Sequence, residues 1–180
     1  MTQVKPYSGI FPIAPVPFSD NGDLDLDGMR RVLDCMIDQG VDGICVLANY
    51  SEQFLLTDAE RHTLLDLSMS HVNGRVPVIV TCSHFSTLIA ADRGRRAAKA
   101  GAKMLMLMPP YHGALLRADE AGIIAQFAAV ADAAQIPLMC RFLGRRHRCG
   151  TTGLGPASEK RQGTKSRAIW LWGCSGRYGD

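Results

Sequence analysis

Three short stretches place polar groups able to hold an anion or move a proton directly after apolar runs. The first is Ala48-Asn49-Tyr50-Ser51-Glu52. In a tight loop, Asn49, Tyr50 and Ser51 offer backbone N–H groups and a hydroxyl, and such a set can take up an anion without leaving a buried charge unpaired. Glu52 reads better as a carboxylate that braces this loop, through backbone or an arginine, than as an acid catalyst. The second stretch is Ser83-His84-Phe85-Ser86-Thr87 and the third is Pro109-Pro110-Tyr111-His112-Gly113-Ala114. The imidazoles of His84 and His112 could contact substrate hydroxyls or pass protons, although histidines in such loops are more often solvent-facing. The Tyr111 phenol can both donate and accept, which suits a proton relay; it reads equally as a strand-end tyrosine packed on a neighbour. The six cysteines are scattered, with no Cys-x-x-Cys pair and no histidine at zinc-ligand spacing. A disulfide framework or a bound metal is therefore not expected, and reduced thiols suit a cytoplasmic protein.

These loops depend on the elements that carry them. Gly9 to Phe18 is apolar and β-branched at its start and then broken by Pro12, Pro15 and Pro17, as a short strand running into a loop would be. Leu24, Leu26, Met29, Val32, Leu33, Met36 and Ile37 form one apolar stripe, which predicts a helix over Asp25 to Gln39 closed by Gly40. Gly43 to Ala48 reads as a buried strand. Thr57 and Glu60 form a capping box ahead of a helix over Ala59 to Val72. Val76 to Cys82 is a third strand, Ser86 to Ala100 a helix, and Lys103 to Met108 a fourth strand stopped by Pro109 and Pro110. Asp119 to Ala134 is a further helix, and Ile136 to Cys140 begins a fifth strand. Four βα units with continuously apolar strands demand a parallel sheet covered by helices. A dinucleotide-binding sheet would carry a glycine-rich turn after its first strand; Pro15 to Phe18 stands there instead, which favours a closed barrel, and no cofactor is expected.

The net charge of +3 is unevenly spread: residues 1–140 carry 11 basic against 15 acidic side chains, whereas 141–180 carry 9 against 2. The basic cluster Arg93, Arg95, Arg96, Lys99 and Lys103 lacks interleaved aromatics and reads as a solvated helix face, so no specific nucleic-acid partner is expected. Met104, Met106 and Met108 alternate with leucines as in a buried strand. No stretch approaches the roughly 18 apolar residues of a membrane span, and the N-terminus lacks a secretory pattern, so the chain is expected to be soluble and not exported.

The string Ala48 to Glu52 resembles the Gly-Thr-Thr-Gly-Glu loop of the dihydrodipicolinate synthase and N-acetylneuraminate lyase family. The segments GIFPIAPVPF, LTDAER (Leu56 to Arg61), GRVPVIVTCSHFST (Gly74 to Thr87) and MPPY (Met108 to Tyr111) follow in family order. The resemblance spans residues 8 to 139 and implies an α/β fold, a TIM (β/α)8 barrel, of which only the N-terminal half is present: about four βα units plus the fifth strand. Asn-aromatic-Ser-Glu-Gln-Phe, with the histidine-bearing second and third stretches, is most similar to the sugar-acid dehydratases of that family. It implies a Schiff-base lyase that eliminates the C4 hydroxyl of a 2-keto-3-deoxy sugar acid such as L-2-keto-3-deoxyarabonate, giving an α-ketoglutarate semialdehyde type product. A synthase or keto-acid aldolase of the same family, or a non-enzymatic truncated remnant, are the alternatives. By the same resemblance Asn49, Tyr50 and Ser51 hold the substrate carboxylate, and Tyr111 joins a proton relay completed across a subunit interface of a homo-oligomer. Tyr50 stands where the family has its second threonine, so a hydroxyl contact would have to come from Ser51, or backbone alone would serve.

This chemistry needs a lysine amine that attacks the C2 carbonyl, so that the cationic imine acidifies the C3 protons. The family carries it on its sixth strand in a Lys-Ile-Glu or Lys-Glu context, and no lysine here has that setting: Lys5 precedes the first strand, Lys99 lies on a helix, Lys103 starts a strand, and Lys160 and Lys165 sit in a hydrophilic stretch. From about residue 140 the sequence turns rich in Gly, Arg, Cys and Trp without amphipathic period. An irregular tail over 141–180, a frameshift or truncation near residue 140, and an inactive chain are therefore expected.

Overall fold

The computed structural model describes residues 8–109, 119–141 and 169–172. They fall into two compact units, one of Met1–Thr81 with Ala100–Lys103 and one of Cys82–Lys99 with Met104–Asp180.

In the first unit, α1 (Leu26–Asp38) starts where the Asp25 carboxylate accepts the Gly28 N–H, satisfying one of the donors that a helix start leaves open. It buries Met29 and Leu33, each contributing on the order of 1.5–3 kcal/mol. Strand β1 (Ile44–Val46) pairs in parallel with β2 (Val78–Thr81), Ile44 opposite Val78 and Val46 opposite Val80, and every residue of both is buried. The stretch Gly9 to Phe18, expected as a short strand running into a loop, makes one parallel bridge, Ile13 to Cys45, and one antiparallel bridge, Phe18 to Leu24. Pro12, Pro15 and Pro17 lack the N–H donors that a longer ladder would use. Gly43 lets this stretch approach β1: a Cβ there would lie 2.3 Å from the Phe11 ring and 2.8 Å from the Pro77 carbonyl oxygen. Helix α2 (Asp58–Val72) opens with the anticipated capping box, the Glu60 carboxylate accepting the Thr57 N–H at 2.7 Å and Thr57 Oγ1 accepting the Glu60 N–H at 3.2 Å.

In the second unit, α3 (Thr87–Lys99) packs against β3 (Met104–Leu107) and α4 (Glu120–Ala134) around Gly94, where a Cβ would stand 3.0 Å from Leu105 and 3.3 Å from Val130. All four β3 residues are buried, which accounts for the methionine run. Strand β4 (Leu138–Arg141) runs parallel to β3, with Leu138 opposite Leu105. The tail departs from the irregular reading at one point: Ile169–Trp172 forms β5, parallel to β4 with Leu138 opposite Ile169. Ile-Trp-Leu-Trp joins a β-branched residue to aromatics, a composition that suits a strand, and it pairs one open edge of β4. Composition over the whole tail masked this short run.

Candidate functional site

The loop after β1 is built on two residues in left-handed backbone. Leu47 has φ +57° while fully buried, and Glu52 has φ +53°. Non-glycine residues in this region cost on the order of 1 kcal/mol or more each and persist where the surroundings over-determine them. Between them Asn49–Ser51 makes one turn of 3-10 helix, closed by the Ser51 N–H to the Ala48 carbonyl at 2.9 Å and the Glu52 N–H to the Asn49 carbonyl at 3.1 Å. Asn49 and Tyr50 are turned to solvent, Tyr50 at 75% exposure. Ser51 is buried and donates its hydroxyl proton to the Ala14 carbonyl at 2.6 Å. A hydroxyl has one proton to give, so in this geometry Ser51 ties the turn to the first apolar segment, and any contact it makes as a donor to an anion requires that bond to open.

Two residues that sequence reasoning passed over hold this turn. Gln53, 1% exposed, directs its Nε2 to Asn49 Oδ1 at 2.6 Å. Arg61, 3% exposed, donates to the Gln53 carbonyl and to the Thr81 carbonyl, each at 3.0 Å, and so staples the loop to the C-terminal end of β2. Glu52 is exposed. The signal for Arg61 was present: Arg61, Leu64, Leu65, Ser68 and Val72 recur on one helical face, and all five are buried. A cation on an apolar face needs polar partners, and strand-end carbonyls supply them.

In the second unit, Ser83 follows the end of β2. Its Oγ accepts the Met108 N–H at 2.9 Å and its carbonyl accepts from Arg93 at 3.2 Å, fixing the point where the chain leaves β3. His84 is half-buried; its Nδ1 accepts the Ser86 N–H at 3.0 Å and its carbonyl accepts from the buried Gln126 at 2.9 Å. With Nδ1 acting as acceptor, the neutral ring carries its proton on Nε2, which leaves that nitrogen a donor. The lone glutamine amid the apolar run of α4 was the available clue to Gln126. Tyr111 and His112 lie outside the described residues. Among the described residues, no group of three or more His, Cys, Asp or Glu side chains could hold a metal ion, and no helix is long and apolar enough to cross a membrane.

Residues 6–143 match the Dihydrodipicolinate synthetase family. The chain belongs to this family. It is 54% identical over 133 residues to an L-2-keto-3-deoxyarabonate dehydratase of Azospirillum brasilense, covering 74% of this chain and 43% of that protein. To a 4-hydroxy-tetrahydrodipicolinate synthase of an Exiguobacterium species it is 34% identical, covering 74% of this chain and 44% of the relative. Among solved structures it resembles YagE of E. coli, a member of the dihydrodipicolinic acid synthase family determined in complex with pyruvate, with 30% identity and a TM-score of 0.66 over 72% of this chain and 43% of that one. The dihydrodipicolinate synthase DapA-2 of Bacillus anthracis gives 28% identity and a TM-score of 0.68 over 73% of this chain and 44% of that one. The chain thus spans less than half the length of these relatives. The fold class is that of the (β/α)8 barrel, of which this chain carries the N-terminal βα units. In such barrels the chemistry gathers at the C-terminal ends of the strands; within the first unit the Asn49 turn follows the end of β1, and within the second Ser83 and His84 lie just past the end of β2.

Proposed function

We propose that this chain is the front half of a Schiff-base carbon–oxygen lyase acting on a 2-keto-3-deoxy sugar acid, L-2-keto-3-deoxyarabonate above all. The observation that carries the reading is the Asn49–Ser51 turn, raised on strained backbone at a strand end and stapled by Arg61, in a chain 54% identical to a dehydratase named for that substrate. In this reading the turn holds the substrate carboxylate through backbone N–H groups and the Asn49 side chain. His84, with Nε2 as donor, and His112 meet substrate hydroxyls, and Tyr111 passes protons within a homo-oligomer in the cytoplasm. Among the described residues no lysine stands at the C-terminal end of a strand to form the imine. Lys99 is exposed on α3 and Lys103 is exposed at the N-terminal end of β3, opposite the chemistry; Lys5, Lys160 and Lys165 lie outside the described residues. The 180-residue chain alone therefore binds keto acids without turning them over.

Joining residues 1–140 to the rear half of the Azospirillum brasilense dehydratase tests the substrate. The chimera is expected to dehydrate L-2-keto-3-deoxyarabonate. A folded chimera that instead condenses pyruvate with an aldehyde would favour the synthase or aldolase reading, which the 34% identity to a 4-hydroxy-tetrahydrodipicolinate synthase supports more weakly. A folded chimera with no keto-acid chemistry at all would favour a non-enzymatic remnant.

A further inference from the structure

We propose that Gln53 is a positioning residue that fixes the polarity of the Asn49 amide, so that Nδ2 and not Oδ1 is the end that meets a carboxylate. The inference rests on the carboxylate reading of the Asn49 turn and adds to it the group that sets its selectivity for an anion. Gln53 is 1% exposed, and its Nε2 lies 2.6 Å from Asn49 Oδ1. Its backbone is held from both sides: the N–H donates to the Ala48 carbonyl at 3.3 Å and the carbonyl accepts from buried Arg61 at 3.0 Å. Among the described residues the buried Gln53 Oε1 has no hydrogen-bond partner, and the side chain engages Asn49 through its donor end.

An asparagine amide has an acceptor end and a donor end that exchange by a half-turn about χ2. A bond from Gln53 to Oδ1 selects one of the two and turns the Nδ2–H2 group away from Gln53. A carboxylate only accepts hydrogen bonds, so this orientation attracts it, and the reverse orientation would set carbonyl oxygen against carboxylate oxygen. A threonine at position 49, the residue type that the family loop carries, would need no such device, because its hydroxyl proton rotates to suit the ligand. Asn49 and Gln53 therefore act as a pair, four residues apart, on opposite sides of one turn.

The test uses the isotope-labelled full chain, with pyruvate as the probe and the side-chain amide signals of Asn49 and Gln53 as the readout. Pyruvate is expected to shift the Asn49 Nδ2–H2 signals saturably, and Gln53→Leu or the unbranched Gln53→Met should weaken that affinity about tenfold or more, the scale of a lost hydrogen bond to a charged group. Asn49→Thr should bind pyruvate equally with and without Gln53→Leu, a pattern that a purely structural role for Gln53 does not produce. Unchanged affinity in a well-folded Gln53 variant overturns the inference and leaves the carboxylate reading standing. No shift at Asn49 in the unaltered chain removes the carboxylate reading. The amide orientation is read separately from hydrogen exchange without ligand: slow exchange of Gln53 Nε2–H supports it, and slow exchange of Asn49 Nδ2–H against a free Gln53 amide overturns it.

Discussion

Replacing Arg61 tests how the loop after β1 is held. The guanidinium is buried and donates to two carbonyls, one in the loop and one at the end of β2. Arg61→Met fills much of the same volume but removes both donors. Each buried acceptor left without a partner costs about 1–3 kcal/mol, giving about 2–6 kcal/mol for the pair. Against this stands the desolvation of a buried cation, which the substitution recovers in part, so the net loss should fall near 2–4 kcal/mol. Arg61→Lys can reach one carbonyl and should lose about half as much, whereas Arg61→Ala adds a cavity and should lose the most. Domains of this size are stable by only about 5–15 kcal/mol, so the losses should be plain in urea unfolding followed by far-ultraviolet circular dichroism. If Arg61→Met unfolds within about 0.5 kcal/mol of the unaltered chain, or later, the buried charge contributes nothing net and the staple argument fails.

Other outcomes follow from the same structure. Arg75 first, and then His71, hydrogen-bond the Asp34 carboxylate and hold its pKa below the usual range. The unfolded chain therefore binds more protons in the acid window, so this contribution is present above the unfolded value of about 3.9 and is lost as pH falls through the lower folded value. Asp34→Asn should flatten the dependence of the urea midpoint on pH between about 5 and 2, and a slope equal to that of the unaltered chain would remove Asp34 from the account. Gly43→Ala should cost on the order of 1–3 kcal/mol by forcing the Phe11 ring and the Pro77 carbonyl apart, read as a lower thermal midpoint. Thr57→Ala should cost about 1 kcal/mol by opening the capping box, with Thr57→Ser restoring most of it. A reading-frame change near residue 140 predicts that the nucleotides beyond that point encode a sixth strand and its lysine in another frame; their absence from all frames would end that explanation.

The βα succession was legible because apolar runs and a cap each left a local mark: the Thr57/Glu60 box, the helices expected from Asp25 and Asp119, and the apolar runs of β2 and β3 lie within a residue or two of their expected bounds. The first strand is shortened to a single parallel bridge by the prolines that were read as breaking it. Ile169–Trp172 was missed because four residues are too few to establish a period in a glycine-rich tail. The Asn49–Ser51 turn was visible as a motif, whereas its supports were not, since Gln53 and Arg61 act through carbonyls and amides whose partners only the fold brings near, as Gln126 does at the His84 carbonyl. What could have been suspected is that a polar residue on an apolar helical face must find such a partner.

On the proposed function, this chain holds a keto acid with no amine poised to capture it. Incubating the purified chain with pyruvate and borohydride and then weighing the intact protein reads out any such capture. The mass is predicted to remain that of the unmodified chain, while a lyase with its complete barrel, treated in parallel, gains one reduced pyruvate. A stoichiometric adduct on the 180-residue chain, mapped to any of its lysines, would contradict the account.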